Sequence, residues 1–524
     1  MIHRTKSGVF TGAIAVLALG ACAAVDQKPA GPTSDDADGD ISDRGGIGVV
    51  ESQLTAADIN IDPRRSLAVT DVALGSQFTL EAVLNQLAAQ SGTPGLTGLQ
   101  LFQELWDTQN TAAAGVTGVR HCDAEAGTLN SFPYSCRAEG ATVTSPMSLF
   151  SIVGVYNRFD LASTEGFDCG EYRMVFARND GRRAFIIFEA VLANPNRFDG
   201  VFGCRPVQEF WAQLSSVADP AQRAASLHNF FFTGIANFGP VISINNYGRL
   251  PSIRQGQVRV NQFVQAPWEL HEFRLARPSN TAPMQFVPAT VKVNPFGDLF
   301  RDGGSHPRTA AFQQFFPSQV AKLALADINR FDMAVSDQFN AGESNVNATG
   351  NYSTIFSTTS AFASAIQSEL TRIGSALTPA NIVARAQALS CAGCHQLSNG
   401  ADLGGGLTWP ASAGFVHSTE FPEAGPDGQR FRISPALTDV FLPNRARIMR
   451  EFLARTRCTP GSTRCDFACG FGNGQSSDDC IVQCSADGST WLPKENCGWA
   501  QNGTSSASCQ DSTTAPPQAV CLQF

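Results

Sequence analysis

The sequence predicts a multidomain chain: an α+β domain over residues 51–355, a helical domain over 356–457 and a small disulfide-rich module over 458–524. Three observations carry this expectation. At 524 residues the chain exceeds what one ordinary hydrophobic core serves. Before residue 350, helix-period segments mix with short aromatic and β-branched runs, and after it helical stripes dominate. Eight of the fifteen cysteines crowd between Cys458 and Cys521.

The first segment, 1–21, has a basic start (His3, Arg4, Lys6) and then "VFTGAIAVLALGA", an apolar run too short to span a bilayer as a helix. It ends in Leu19-Gly20-Ala21-Cys22, which resembles the lipobox of bacterial lipoproteins. That resemblance implies cleavage before Cys22 and a lipid on its thiol. An ordinary secretory peptide is the alternative. Ala23 stands where an aspartate would favour inner-membrane retention, so the expected address is the cell envelope, lipid-anchored in the outer membrane on its periplasmic or surface face. Residues 22–50, rich in Gly, Pro, Ser and Asp, read as a tether.

In 51–355, "TLEAVLNQLAAQ" and "LTGLQLFQELWDTQ" space apolar residues by three and four, as helices do. Asp219-Pro220 opens another helix, with an N-cap and a proline at its first position. "YRMVFAR", "RRAFIIFEAVL", "QVRVNQFV", "WELHEFRLA" and "MQFVPATVKV" read as strands of a mostly antiparallel sheet. The tetrapeptide "NRFD" occurs at 157–160, 196–199 and 329–332, at unequal separations that exclude a solenoid repeat. Its first copy and the following Cys169-Gly170-Glu171-Tyr172-Arg173 resemble a pattern of uncharacterised exported bacterial proteins. That resemblance implies no activity.

In 356–457, Thr378 as N-cap, Pro379 at the first position and the stripe Ile382, Val383, Ala386, Leu389 predict a helix leading into Cys391-Ala-Gly-Cys394-His395. Two thiolates three residues apart, followed by histidine, suit covalent haem: the sulfurs add across two vinyl groups and the imidazole ligates iron. A Gly-rich loop follows, and "LPNRARIMREFLART" supplies a closing helix. In this order of features the segment resembles a class I c-type cytochrome, which implies an all-α domain carrying one haem c on Cys391, Cys394 and His395. For the sixth ligand, His417 in the loop is favoured. Met449 lies on the apolar stripe Ile448, Met449, Phe452, Leu453 and reads as core, and an open position is the third option. A Cys391–Cys394 disulfide is the alternative to haem.

Cysteine arithmetic agrees with export. Set Cys22 and the CxxC pair aside, and four cysteines (Cys122, Cys136, Cys169, Cys204) and the eight of 458–524 remain, both even as disulfides require. Net charge is −9 without a basic cluster, which argues against a nucleic-acid partner. No GxSxG elbow occurs, and His271 in "HEF" lacks a second histidine four residues on. The scattered His121, His228, His271 and His306 read as structural or exposed, not catalytic. The expected function is one-electron transfer to an unknown redox partner by an envelope lipoprotein. The alternative is a non-enzymatic surface-binding lipoprotein in which the CxxC is a disulfide or the haem is structural.

Overall fold

The computed structural model describes residues 59–106, 127–135, 145–248, 256–263, 268–279, 281–347, 350–455 and parts of 458–523. The segment 1–21, Cys22, the tether 22–50, Cys122 and Cys136 lie outside the described residues.

The strands in chain order are β1 (Ala68–Val69), β2 (Gly127–Leu129), β3 (Phe132–Tyr134), β4 (Phe150–Arg158), β5 (Asp168–Arg178), β6 (Phe185–Ala193), β7 (Gln257–Phe263), β8 (Glu269–Ala276), β9 (Gln285–Ala289) and β10 (Glu343–Asn345). Eight of them form one antiparallel sheet in the order β1-β4-β5-β6-β7-β8-β10, with β9 also paired to β8. β2 and β3 make a separate hairpin.

The sheet has two faces because side chains alternate along each strand. One face takes Val155, Tyr172, Met174, Phe176, Phe188 and Val258 into the main core. Helices Leu80–Gln90, Arg205–Gln213 and Pro220–Phe232 supply that core from their own sides, with Leu84, Leu87, Trp211, Phe230 and Phe231 buried. Thr79 caps the first of these through Ala82 N, and Asp219 caps the third through Ala221 N. The Cys169–Cys204 disulfide ties β5 to the start of Arg205–Gln213. The opposite face mixes charged and apolar side chains and bears the candidate site.

The expected all-α domain over 356–457, and with it the multidomain class, is overturned. Residues 52–524 form one compact unit of mixed helix and sheet. Between the two expected helices lies a β-hairpin, β11 (Ser418–Gly425) and β12 (Gly428–Ile433), joined to the sheet region through the Asp71–Arg430 bridge. The helices themselves serve different cores. Pro379–Leu389 buries Ile382, Val383 and Ala386 beside Phe300, Phe312, Phe316 and Tyr352. Leu442–Ala454 instead turns Met449, Phe452 and Leu453 into the core of the sheet, where the Phe452 ring lies 4.6 Å from Phe159 and 5.6 Å from Phe202. An apolar stripe requires burial but does not choose the surface it meets.

The last stretch carries β13 (Thr463–Asp466), β14 (Cys469–Phe471), β15 (Gln475–Ser477), β16 (Cys480–Cys484), β17 (Trp491–Asn496), β18 (Ala507–Asp511) and β19 (Ala519–Gln523). Strands β13, β16 and β17 form a small antiparallel sheet, stapled by Cys458–Cys484.

Candidate functional site

Against this face of the sheet lies a cavity of about 300 Å³, within the range of small-molecule pockets. The strands reach it at every second residue: Tyr156 and Arg158, Arg173 and Val175, Ile187 and Glu189, Arg259 and Asn261, then Leu270. The far wall comes from Cys391, Cys394, His395, Val416, His417, Leu437, Phe441 and Arg445. The sequence-predicted Cys391, Cys394, His395 and His417 therefore meet at one cavity. Met449 lies in the core of the sheet instead.

The motif sits on a wide π-helical turn, Gly393–Leu397, after the helix Pro379–Leu389 ends at Ser390. Such turns recur at functional sites because they displace side chains from the α-helical ladder. Gly393 is required there, since a β-carbon would lie 1.6 Å from the Gln387 carbonyl oxygen. Ser344 of β10 receives the Ala392 N–H at 3.0 Å, and the Trp268 ring stacks on His395 with centroids 5.1 Å apart.

Cys391 and Cys394 are free thiols, so the disulfide alternative is not the state of this structure. Burial pushes Cys391 up to about 11. Burial, with Cys391 adding to it, pushes Cys394 up to about 12. His395 Nδ1 donates to the Phe415 carbonyl at 2.8 Å, which leaves Nε2 with its lone pair. Burial lowers its pKa to about 4 despite that hydrogen bond. Burial, then the nearby His395, drops His417 well below the usual imidazole range. His417 is held by Ser434 Oγ at 2.8 Å from Nδ1, with Cys394 Sγ 3.2 Å from Nε2. The two imidazole centroids are 4.9 Å apart.

Sequence reading missed the charged floor. Arg173 bonds Glu171 at 2.5 Å and Glu189 at 3.0 Å, and Arg259 bonds Glu189 at 3.4 Å and Glu272 at 2.9 Å. Arg274 meets Glu272 at 2.5 Å, and Lys292 Nζ donates to Gln257 at 2.6 Å. Arg158 and Arg445 both reach Asp160, at 2.9 and 3.6 Å. The first "NRFD" and "CGEYR" are thus neighbouring walls of one site, with Arg158 opposite Glu171 across the β4–β5 ladder. Gly170 permits the approach, because φ is +87° and a β-carbon would meet the Arg158 carbonyl oxygen at 2.4 Å. In the sequence the two were readable only as one pattern resembling that of uncharacterised exported proteins, with no pairing implied. The other "NRFD" copies do not line the cavity.

Comparison with protein-family models, curated protein sequences and solved structures finds no match for this chain.

Proposed function

We propose that this chain is a cell-envelope haem protein, with one haem c on Cys391 and Cys394, His395 and His417 as iron ligands, and one-electron transfer as its task. The observation that carries this reading is the meeting of two unpaired thiols and two neutral imidazoles at one partly apolar cavity. When bound, such a group stores and releases single electrons.

The residues fit it in three further ways. The donor atoms of the four residues do not gather around a single point, as four-coordinate zinc requires. Among the described residues only Glu269, His271 and Glu343 gather in that way. Four arginines, Arg158, Arg173, Arg259 and Arg445, line the cavity beside the carboxylate of Glu189. A cationic lining of this kind suits the carboxylates a haem carries on its propionates. Val175, Phe185, Ile187, Leu270, Leu437 and Phe441 offer the apolar contact a porphyrin needs.

His395 and His417 would hold the iron, and for that the two imidazoles, with centroids 4.9 Å apart and His417 Nε2 against Cys394 Sγ, would have to separate. Two such ligands would favour electron transfer over oxygen or peroxide chemistry. The leader, the lipobox ending in Cys22 and the tether support a lipid anchor in the outer membrane, with the redox partner on the periplasmic or surface side.

The test is a pyridine haemochrome spectrum of the full chain matured with cytochrome c assembly factors. A c-type spectrum in the parent is expected, with a one-vinyl shift or loss in Cys391→Ala. A parent that takes up no haem overturns the reading and leaves a surface lipoprotein with a cationic cavity.

A further inference from the structure

The sheet carries a second cluster of ligand-type side chains, on the face away from the cavity. On β8, Leu270 points to the cavity, so Glu269 and His271 point the other way. Glu343 of β10 lies directly opposite His271 in the ladder. Ser135, just beyond β3, closes the fourth side: its hydroxyl bonds Glu269 and, at 2.6 Å, Glu343, and lies 3.3 Å from His271 Nε2. The Tyr134 ring covers the imidazole, with centroids 4.7 Å apart. His271 is fully buried and each carboxylate is 13 % exposed.

Two features set this cluster apart from the ionic floor on the other face. Every floor carboxylate has a guanidinium partner. Among the described residues, Glu269 and Glu343 pair with neither arginine nor lysine, only with His271. One imidazolium balances at most one of the two carboxylates, so the site retains negative charge at low exposure, which a cation would neutralise. The spacing is the second feature. His271 Nε2 lies 3.3 Å from Glu269 Oε1 and 3.6 Å from Glu343 Oε2. Metal–ligand bonds of about 2.0–2.2 Å in a tetrahedron give ligand separations of about 3.3–3.6 Å. An octahedral magnesium site at about 2.0–2.1 Å gives only about 2.9 Å. An imidazole ligand also favours zinc-type ions over magnesium or calcium.

We propose that Glu269, His271 and Glu343 bind one divalent transition-metal ion of zinc type, which fastens the short edge strand β10 to β8. This site is separate from the haem cavity and does not depend on it.

The test uses the full chain and its Cys391→Ala/Cys394→Ala variant, each stripped with chelator and titrated with zinc by calorimetry, with metal content measured by atomic emission. One zinc per chain is expected in both proteins, with a thermal midpoint raised by zinc and lowered by chelator. Glu343→Gln, which preserves side-chain shape and the hydrogen bond from Ser135 N–H, is expected to weaken zinc binding at least tenfold at unchanged circular dichroism. His271→Ala is expected to abolish it. Failure of the parent to bind one zinc, or unchanged affinity in Glu343→Gln, overturns the proposal and leaves His271 as an imidazolium clamped by two carboxylates. Zinc uptake lost only in the Cys391→Ala/Cys394→Ala protein overturns it too, assigning the metal to the cavity thiols.

Discussion

At the scale of single residues, Asp160 shows how the site reconciles buried charge. Burial alone would raise its carboxyl pKa, but Arg158 and Arg445 outweigh that penalty and hold it below the ordinary range. A carboxyl with a depressed native pKa adds stability above its unfolded value of about 3.9, and that stability is lost as pH falls through the native value. Asp160→Asn is therefore expected to cost about 3 kcal/mol at pH 7, because two largely shielded guanidiniums lose their shared partner. The gap between parent and variant should narrow as pH falls below the unfolded value of about 3.9. Urea midpoints measured down through that value check it, and a gap independent of pH would refute the role given to this charge. The sequence marked Asp160 only as the last residue of the first "NRFD", with no role attached. Cys391, Cys394 and His395 were legible because their chemistry depends on local spacing. Asp160, Arg173 and Arg445 come together only through strand register and a distant helix.

At the scale of elements, local period was a good guide. The helices Pro220–Phe232 and Pro379–Leu389 begin at the caps read from their sequences, Leu80–Gln90 follows its apolar spacing, and β5 to β9 fall on the aromatic and β-branched runs. What period could not reveal is how the motif helix is anchored. Arg385 is buried in it and donates to the carbonyls of Leu323, Leu325 and Leu403 at 2.8 Å and of Gly404 at 3.1 Å, with its guanidinium 4.5 Å from the Phe331 ring centroid. A stripe analysis counts arginine as a surface residue. Here the helix instead uses it to fix the loop after the motif and the segment before it. Arg385→Met keeps the apolar stem and removes every donor, stranding carbonyls that each cost about 1–3 kcal/mol when unsatisfied. A loss of about 3 kcal/mol in chemical denaturation is expected, with Arg385→Lys recovering only part of it, since an ammonium lacks the planar fork. A change within about 0.5 kcal/mol, as at an ordinary surface position, would show that water replaces these bonds.

At the scale of the whole molecule, the expectation of a free-standing domain over 356–457 failed for a reason that can be tested. The segment holds a haem-type motif between two amphipathic helices, and locally nothing distinguishes helices that pack on each other from helices that pack elsewhere. In the folded chain the closing helix spends Met449, Phe452 and Leu453 on the core that also holds Phe159. The hairpin β11–β12 is tied back as well: Arg64 and Thr70 both donate to the Phe431 carbonyl, Arg183 pairs with Glu420, and Arg65 pairs with Asp427 at 2.5 Å. The cavity itself is half sheet and half motif segment. Cutting at 356 would expose three large apolar side chains, each worth about 1.5–3 kcal/mol when buried, against a typical domain stability of only about 5–15 kcal/mol. A fragment of residues 356–457 is accordingly expected to show no cooperative thermal transition. In the full chain, Phe452→Ala is expected to cost about 3–5 kcal/mol and to reduce haem incorporation together with stability, although residue 452 lies outside the cavity lining. Should the fragment fold cooperatively and bind haem unaided, the sheet would be a neighbour of the site; its failure would make the sheet one wall of it.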